Sequence, residues 1–118
     1  MLVAFSVAPS GRPAPAPPDA APSTGEARPG TDEASVHDAV AAAVAVVRAS
    51  GLPHRTDAMF TTIEGEWDAC MAVVKDCVEA VQAFGSRVSL VLKADIRPGF
   101  TGELTGKLER LEQAIAER

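Results

Sequence analysis

A chain of 118 residues, 47% hydrophobic and 23% charged, has the makeup of one globular domain whose core needs neither metal nor disulfide. Aromatics at 4% and the lack of Tyr leave that core to Val, Ala and Leu. A formal net charge of -5 argues against nucleic acid or an anionic membrane as the principal partner, since both need clustered Lys and Arg, and points to a small molecule or another protein chain.

The chain opens on Leu2-Val3-Ala4-Phe5-Ser6-Val7-Ala8, a strand with Val3, Phe5 and Val7 on one face and smaller or polar residues on the other. Its apolar start has no charged leading region and breaks at Pro9, too short for a signal peptide or a membrane span, so a cytoplasmic protein is expected. From Pro9 to Gly30 seven of the nine prolines fall in an Ala, Ser and Gly background, so no regular element persists there. This reads as a flexible insertion at about residues 10–32 of a single domain, 1–118.

Ser35 with Asp38 resembles a capping box, and Val36, Val40, Ala43, Val44 and Val47 follow at helical spacing until Gly51 closes the helix. His54 to Glu64 has room for two short strands reversing near Thr56-Asp57-Ala58. Trp67, Cys70, Met71, Val74, Val78 and Val81 trace a second helix, ended by Gly85, and Trp67 is expected in the core or an interface. Arg87 to Ile96 is the clearest strand, with Val88, Leu90 and Leu92 on one face. Leu104, Leu108, Leu111 and Ile115 line one side of a final helix.

The order β-α-β-β-α-β-α is the split βαβ pattern of an α+β, ferredoxin-like sandwich: a four-stranded antiparallel sheet with both helices on one side, here with an added C-terminal helix. The opposite face of the sheet is left for function or assembly. Alternation assigns Ser6, Ser89 and Lys93 to that face, and Thr62 and Glu64 join them if Ile63 points into the core.

Three stretches resemble the thiamine-binding protein family: Phe5-Ser6-Val7-Ala8-Pro9, Met59-Phe60-Thr61-Thr62-Ile63-Glu64-Gly65-Glu66-Trp67-Asp68, and Leu104-Thr105-Gly106-Lys107-Leu108. The middle run is the most specific, and the resemblance spans roughly residues 1–9 and 33–115. It implies the ferredoxin-like fold, dimers joined through their sheets into homotetramers, no catalysis, no cofactor, and a site for thiamine or its hydroxymethylpyrimidine moiety near subunit interfaces. The proline-rich insertion departs from the family pattern, where a shorter link is expected.

An aminopyrimidine needs hydrogen-bond acceptors, hydroxyls and an apolar surface, and Ser6, Phe60, Thr61, Thr62, Glu64 and Ser89 supply them. Glu64 is expected to accept from the exocyclic amine, Ser6, Thr62 and Ser89 to orient the ring, and Phe60 to stack on it. Lys93 suits a phosphorylated pyrimidine or, equally, an ion pair with Asp95 or a neighbouring chain. The same residues also suit a plain oligomer interface without a ligand. For Glu66 and Asp68, offsetting a helix dipole is the simpler role.

Other chemistries lack their residues. His37 and His54 lie far apart, and neither Cys-x-x-Cys nor His-x-x-x-His spacing for a metal occurs. Cys70 and Cys77 share one helix side seven residues apart, about 10 Å by the helical rise, too far for a disulfide, and read as buried structural thiols. No phosphate-cradling glycine loop or Gly-x-Ser-x-Gly elbow is present. An isomerase or monooxygenase of the same fold would need a titratable pair in one cleft, and the sequence offers only Glu64 with a distant histidine or Lys93.

Overall fold

Alternation in the first nine strand residues becomes a strand, β1 (Leu2–Ser10), in a computed structural model that describes residues 1–12 and 32–118, with backbone only for 32–35. The expected insertion thus lies almost wholly outside the described residues. Helix α1 (Asp32–Ala49) follows, then β2 (His54–Thr56), β3 (Thr61–Glu64), α2 (Trp67–Gln82), β4 (Arg87–Asp95) and α3 (Glu103–Ala116). The sheet order is β2-β3-β1-β4, antiparallel throughout, which is the ferredoxin-like α+β arrangement with an added C-terminal helix.

Register decides which side chains meet the helices. Val3 pairs with Ile63 on one side and Ala94 on the other, and Phe5 pairs with Thr61 and Leu92, so these residues share a face. Val3, Phe5 and Ile63 are buried there beneath α1 and α2. Ile63 does point into the core, so Thr62 and Glu64 take the opposite face.

The two helices meet through small residues. Along α1 the buried stripe is Ala39, Ala43 and Val47, one position round from the valine-led stripe, so Val36 and Val40 stay exposed. Alanine is preferred at the seam because it lets α2 come close: the buried Cys77 thiol donates to the Ala43 carbonyl at 3.4 Å. Burial pushes the Cys77 thiol up to about 11 and raises Cys70 as well, so both stay protonated at neutral pH. Both are free and buried, as structural thiols would be.

Four expectations are corrected. Helix α1 begins at Asp32, so Ser35 lies inside it and not at its start. Of the two places expected for Trp67, core or interface, the core is ruled out: it is 54% exposed, because Cys70, Val73, Val74, Cys77 and Val81 fill the buried side of α2. Leu90 and Leu92 lie on the helix side of the sheet but remain exposed, because β4 is an edge strand that the helix layer does not fully cover. Gly85 does not itself end α2, which stops at Gln82 with Ala83 as its C-cap: a Cβ on Gly85 would lie 2.6 Å from the Ser10 carbonyl oxygen, so the missing side chain admits the end of β1. Gly51, at φ 78°, is the left-handed residue that follows α1.

Candidate functional site

On the face away from α1 and α2, β1 contributes Leu2, Ala4, Ser6 and Ala8 to the middle of the sheet. Ala4 sits between Thr62 of β3 and Lys93 of β4, Ser6 lies opposite Val91, and Ala8 lies opposite Ser89. The result is a shallow floor of small side chains framed by hydroxyls and one ammonium. Ala4, Ser6 and Thr62 are half-buried, while Ser89 and Lys93 are exposed. The fold therefore gathers Ser6, Thr62, Ser89 and Lys93 on one face.

The next row, Glu64–Leu2–Asp95, is where α3 attaches. Gly102, the residue before α3, has φ 70° and no side chain with which to cap the helix. Glu64 supplies the cap from β3: its Oε2 accepts the Glu103 N–H at 2.8 Å and its Oε1 accepts the Leu104 N–H at 3.3 Å. A carboxylate against the positive end of a helix dipole suits this place, and Glu64 is buried. One residue row also ties α3 to the edge strand, because Lys107 donates to Asp95. That hydrogen bond holds the Asp95 carboxyl below the usual carboxylate range. Asp95, foreseen as an alternative partner for Lys93, is thus paired with Lys107 instead. Inside α3, Arg110 bonds Glu103 at 2.6 Å and lowers its carboxyl likewise. Beyond this anchor the apolar stripe Leu108, Leu111 and Ile115 stays exposed.

Two cavities flank this end of the sheet. One, of 480 Å³, is lined by Glu64, Glu66, Leu52, Phe100, Leu104 and Thr105 among others. Its neighbour, of 170 Å³, is bordered by Trp67, Ile96, Arg97 and Phe100, with the Arg97 guanidinium 3.6 Å from the Phe100 ring centroid. The exposed Trp67 therefore belongs to a surface cleft.

Phe60 and Thr61 lie apart from the framed floor. Thr61 pairs with Phe5 and so faces the helix side, and both residues line a 190 Å³ pocket beneath α1. In the β2–β3 turn, Asp57 Oδ1 accepts the Met59 and Phe60 amides, each at 2.9 Å. These bonds, Phe60 first, hold the Asp57 carboxyl below its ordinary value. Among the described residues Ser6, Thr62 and Glu64 border no common cavity in the single chain: Glu64 lines the 480 Å³ cavity, and Ser6 lines the 190 Å³ pocket. Sequence reasoning missed the acidic cavity because Phe100 to Thr105 reach Glu64 only in three dimensions. Among the described residues no group of three or more His, Cys, Asp and Glu could hold a metal, and no helix is long and apolar enough to cross a membrane.

The profile of the family described as thiamine-binding protein matches residues 27–112. Proteins of the UPF0045 group from Mycobacterium bovis and Mycobacterium tuberculosis are each 46% identical to the chain over 116 residues, 98% of the chain and 94% of their own length. A solved Bacillus cereus domain of the DUF77 group, of unknown function, is similar with a TM-score of 0.62 at 28% identity, over 87% of this chain and 83% of its own. A Thermotoga maritima structure, a candidate thiamine biosynthesis or salvage protein, shares the fold with a TM-score of 0.58 at 22% identity, over 92% of this chain and 99% of its own. The family is by its description one of binding proteins.

Proposed function

The chain belongs to the thiamine-binding protein family, and on that premise we propose that it binds thiamine or its hydroxymethylpyrimidine moiety on the sheet face away from α1 and α2, beside α3, where two copies meet. The observation that carries this reading is the floor of Ala4 and Ala8 framed by Ser6, Thr62, Ser89 and Lys93. A flat ring lies on small residues without a clash, and hydroxyls at its rim both donate and accept toward ring nitrogens and an exocyclic amine. Such a floor is open on one side, so a second sheet face closes it, consistent with pairs of dimers packed through their sheets in the cytoplasm. The likeness in fold to the Thermotoga maritima candidate salvage protein supports the same ligand class.

Thiamine carries a cationic ring joined to its pyrimidine by one methylene. Glu64 follows Thr62 on the same face, ~7 Å further along the strand. The cationic ring then falls toward the cavity that Glu64 and Glu66 line, and a net charge of -5 favours a cation. Glu64 serves this site by holding α3 beside it and by placing negative charge at the cavity wall. Lys93 suits a phosphorylated form of the ligand. Phe60 and Thr61, across the sheet, are left out of this placement.

A second reading, an oligomeric module without a ligand, is favoured by the exposed Leu90, Val91 and Leu92 of β4 and the bare stripe on α3. Calorimetric titration of the full chain with thiamine and with hydroxymethylpyrimidine separates the two. The proposal expects saturable heat with one or both, weakened about fivefold by Thr62→Val, which removes one neutral hydrogen bond and keeps the side-chain shape. Absence of heat with either ligand favours the module.

A further inference from the structure

The loop from β4 to α3 turns at Arg97-Pro98-Gly99-Phe100: the Phe100 amide donates to the Arg97 carbonyl at 3.2 Å and Gly99 has φ 83°. Proline followed by such a glycine is the chemistry of a type II turn. It folds the Phe100 ring back against the residue that opens the turn, so the Arg97 guanidinium lies 3.6 Å from the ring centroid. A guanidinium held over a ring keeps its fork of N–H groups for a partner beside it. Among the described residues Arg97 makes no ion pair: Asp95 and Glu103, whose carboxyls feel its charge, are taken by Lys107 and Arg110. Glu66 lines the same 170 Å³ cavity. It stands before α2 without a side-chain bond to it, and among the described residues it makes no ion pair either.

One cavity therefore carries a guanidinium and a carboxylate that do not reach each other, with Trp67, Ile96 and Phe100, all exposed, as its apolar wall. The Met1 ammonium beside it is engaged by the Gly65 carbonyl oxygen at 2.7 Å. A purely anionic ligand would meet Glu66 and a purely cationic one Arg97, whereas a ligand of both signs satisfies each wall. An apolar cavity of about 150 Å³ takes one benzene ring, so this one has room for a branched or aromatic side chain, with the charged head at the open rim. We propose that the cleft between the start of α2 and the β4–α3 loop is a second ligand site, for a free α-amino acid with an apolar side chain. Its carboxylate takes the Arg97 fork, its ammonium lies at Glu66, and its side chain packs on Trp67 and Ile96. Such a ligand is neutral overall, so the net charge of -5 does not oppose it. The pyrimidine-site reading uses neither Arg97 nor Trp67.

Trp67 is the one tryptophan of a chain without Tyr, so its fluorescence reports on this cleft. Titration of the full chain with L-leucine is expected to give a saturable change in that emission. Isocaproate, which is leucine without its amine, and leucinamide, which lacks the carboxylate, should each bind about tenfold more weakly, the scale of one lost charge-assisted contact. Arg97→Gln should bring leucine down to the affinity of leucinamide, and Glu66→Gln down to that of isocaproate. Both residues are exposed, and among the described residues neither side chain makes a hydrogen bond, so both variants are expected to keep the fold. No saturation by leucine, equal affinities for the three compounds, or an Arg97→Gln variant that binds leucine as the parent does would overturn the proposal.

Discussion

Ile63→Ala is expected to cost about 2–5 kcal/mol of folding stability, because deleting a fully buried branched side chain removes its transfer energy and leaves a cavity. Ile63 is 0% exposed, pairs with Val3 in the sheet centre and His54 at its edge, and is the residue through which short β3 is held under the helices. Against a total of about 5–15 kcal/mol for a domain, that loss is a large share. Ile63→Val should cost only about 0.5–1.5 kcal/mol, and urea denaturation of the three proteins measures the gradient. The loss has a functional consequence, since Thr62 and Glu64 are aimed at the opposite face only while Ile63 is seated. An alanine variant within a few tenths of a kcal/mol of the parent would contradict this placement.

Glu64→Ala is expected to release the start of α3, at a cost of about 2 kcal/mol, the scale of a lost cap that used a charged acceptor. Two amides, of Glu103 and Leu104, lose their acceptor at once, and Gly102 has no side chain to replace it. Amide exchange at Glu103 and Leu104 should quicken while that of α2 stays slow. Glu64→Gln keeps an oxygen for one of the two amides and should fall between. A fully protected α3 in the alanine variant would mean that the helix is held by Lys107 and Asp95 alone. Because this carboxylate also borders the acidic cavity, a fall in thiamine affinity on its loss is not proof of direct contact, and Thr62→Val is the cleaner probe of the sheet face.

The fold was largely legible in the residues. Alternation in Leu2 to Ala8 and in Arg87 to Asp95 placed the two long strands, and one apolar residue between two polar ones, Ile63 between Thr62 and Glu64, set the face of the third. What the pattern misread follows from treating large apolar residues as the core. Along α1 the seam runs through alanines because α2 packs close, and on α2 a tryptophan at the helix start reaches a cleft instead. The candidate site was legible as a face and not as a cavity. Period-two alternation puts Ser6, Thr62, Ser89 and Lys93 together, but the partner of Glu64 lies 39 residues away behind a glycine with no capping side chain of its own. Phe60 and Thr61 lie apart from that face: Thr61, paired with Phe5, takes the helix side by the same alternation, and Phe60, in the turn just before β3, lines the pocket beneath α1.

The most direct test of a ligand on the sheet face is amide chemical-shift mapping of the full, labelled chain with thiamine. The account predicts saturable shifts along Ala4 to Ala8, at Thr62 and Glu64, and at Ser89 to Lys93, with the α1 residues Val40 to Val47 unmoved. Shifts concentrated at α1 and the β2–β3 turn, or none at saturating thiamine, would contradict it.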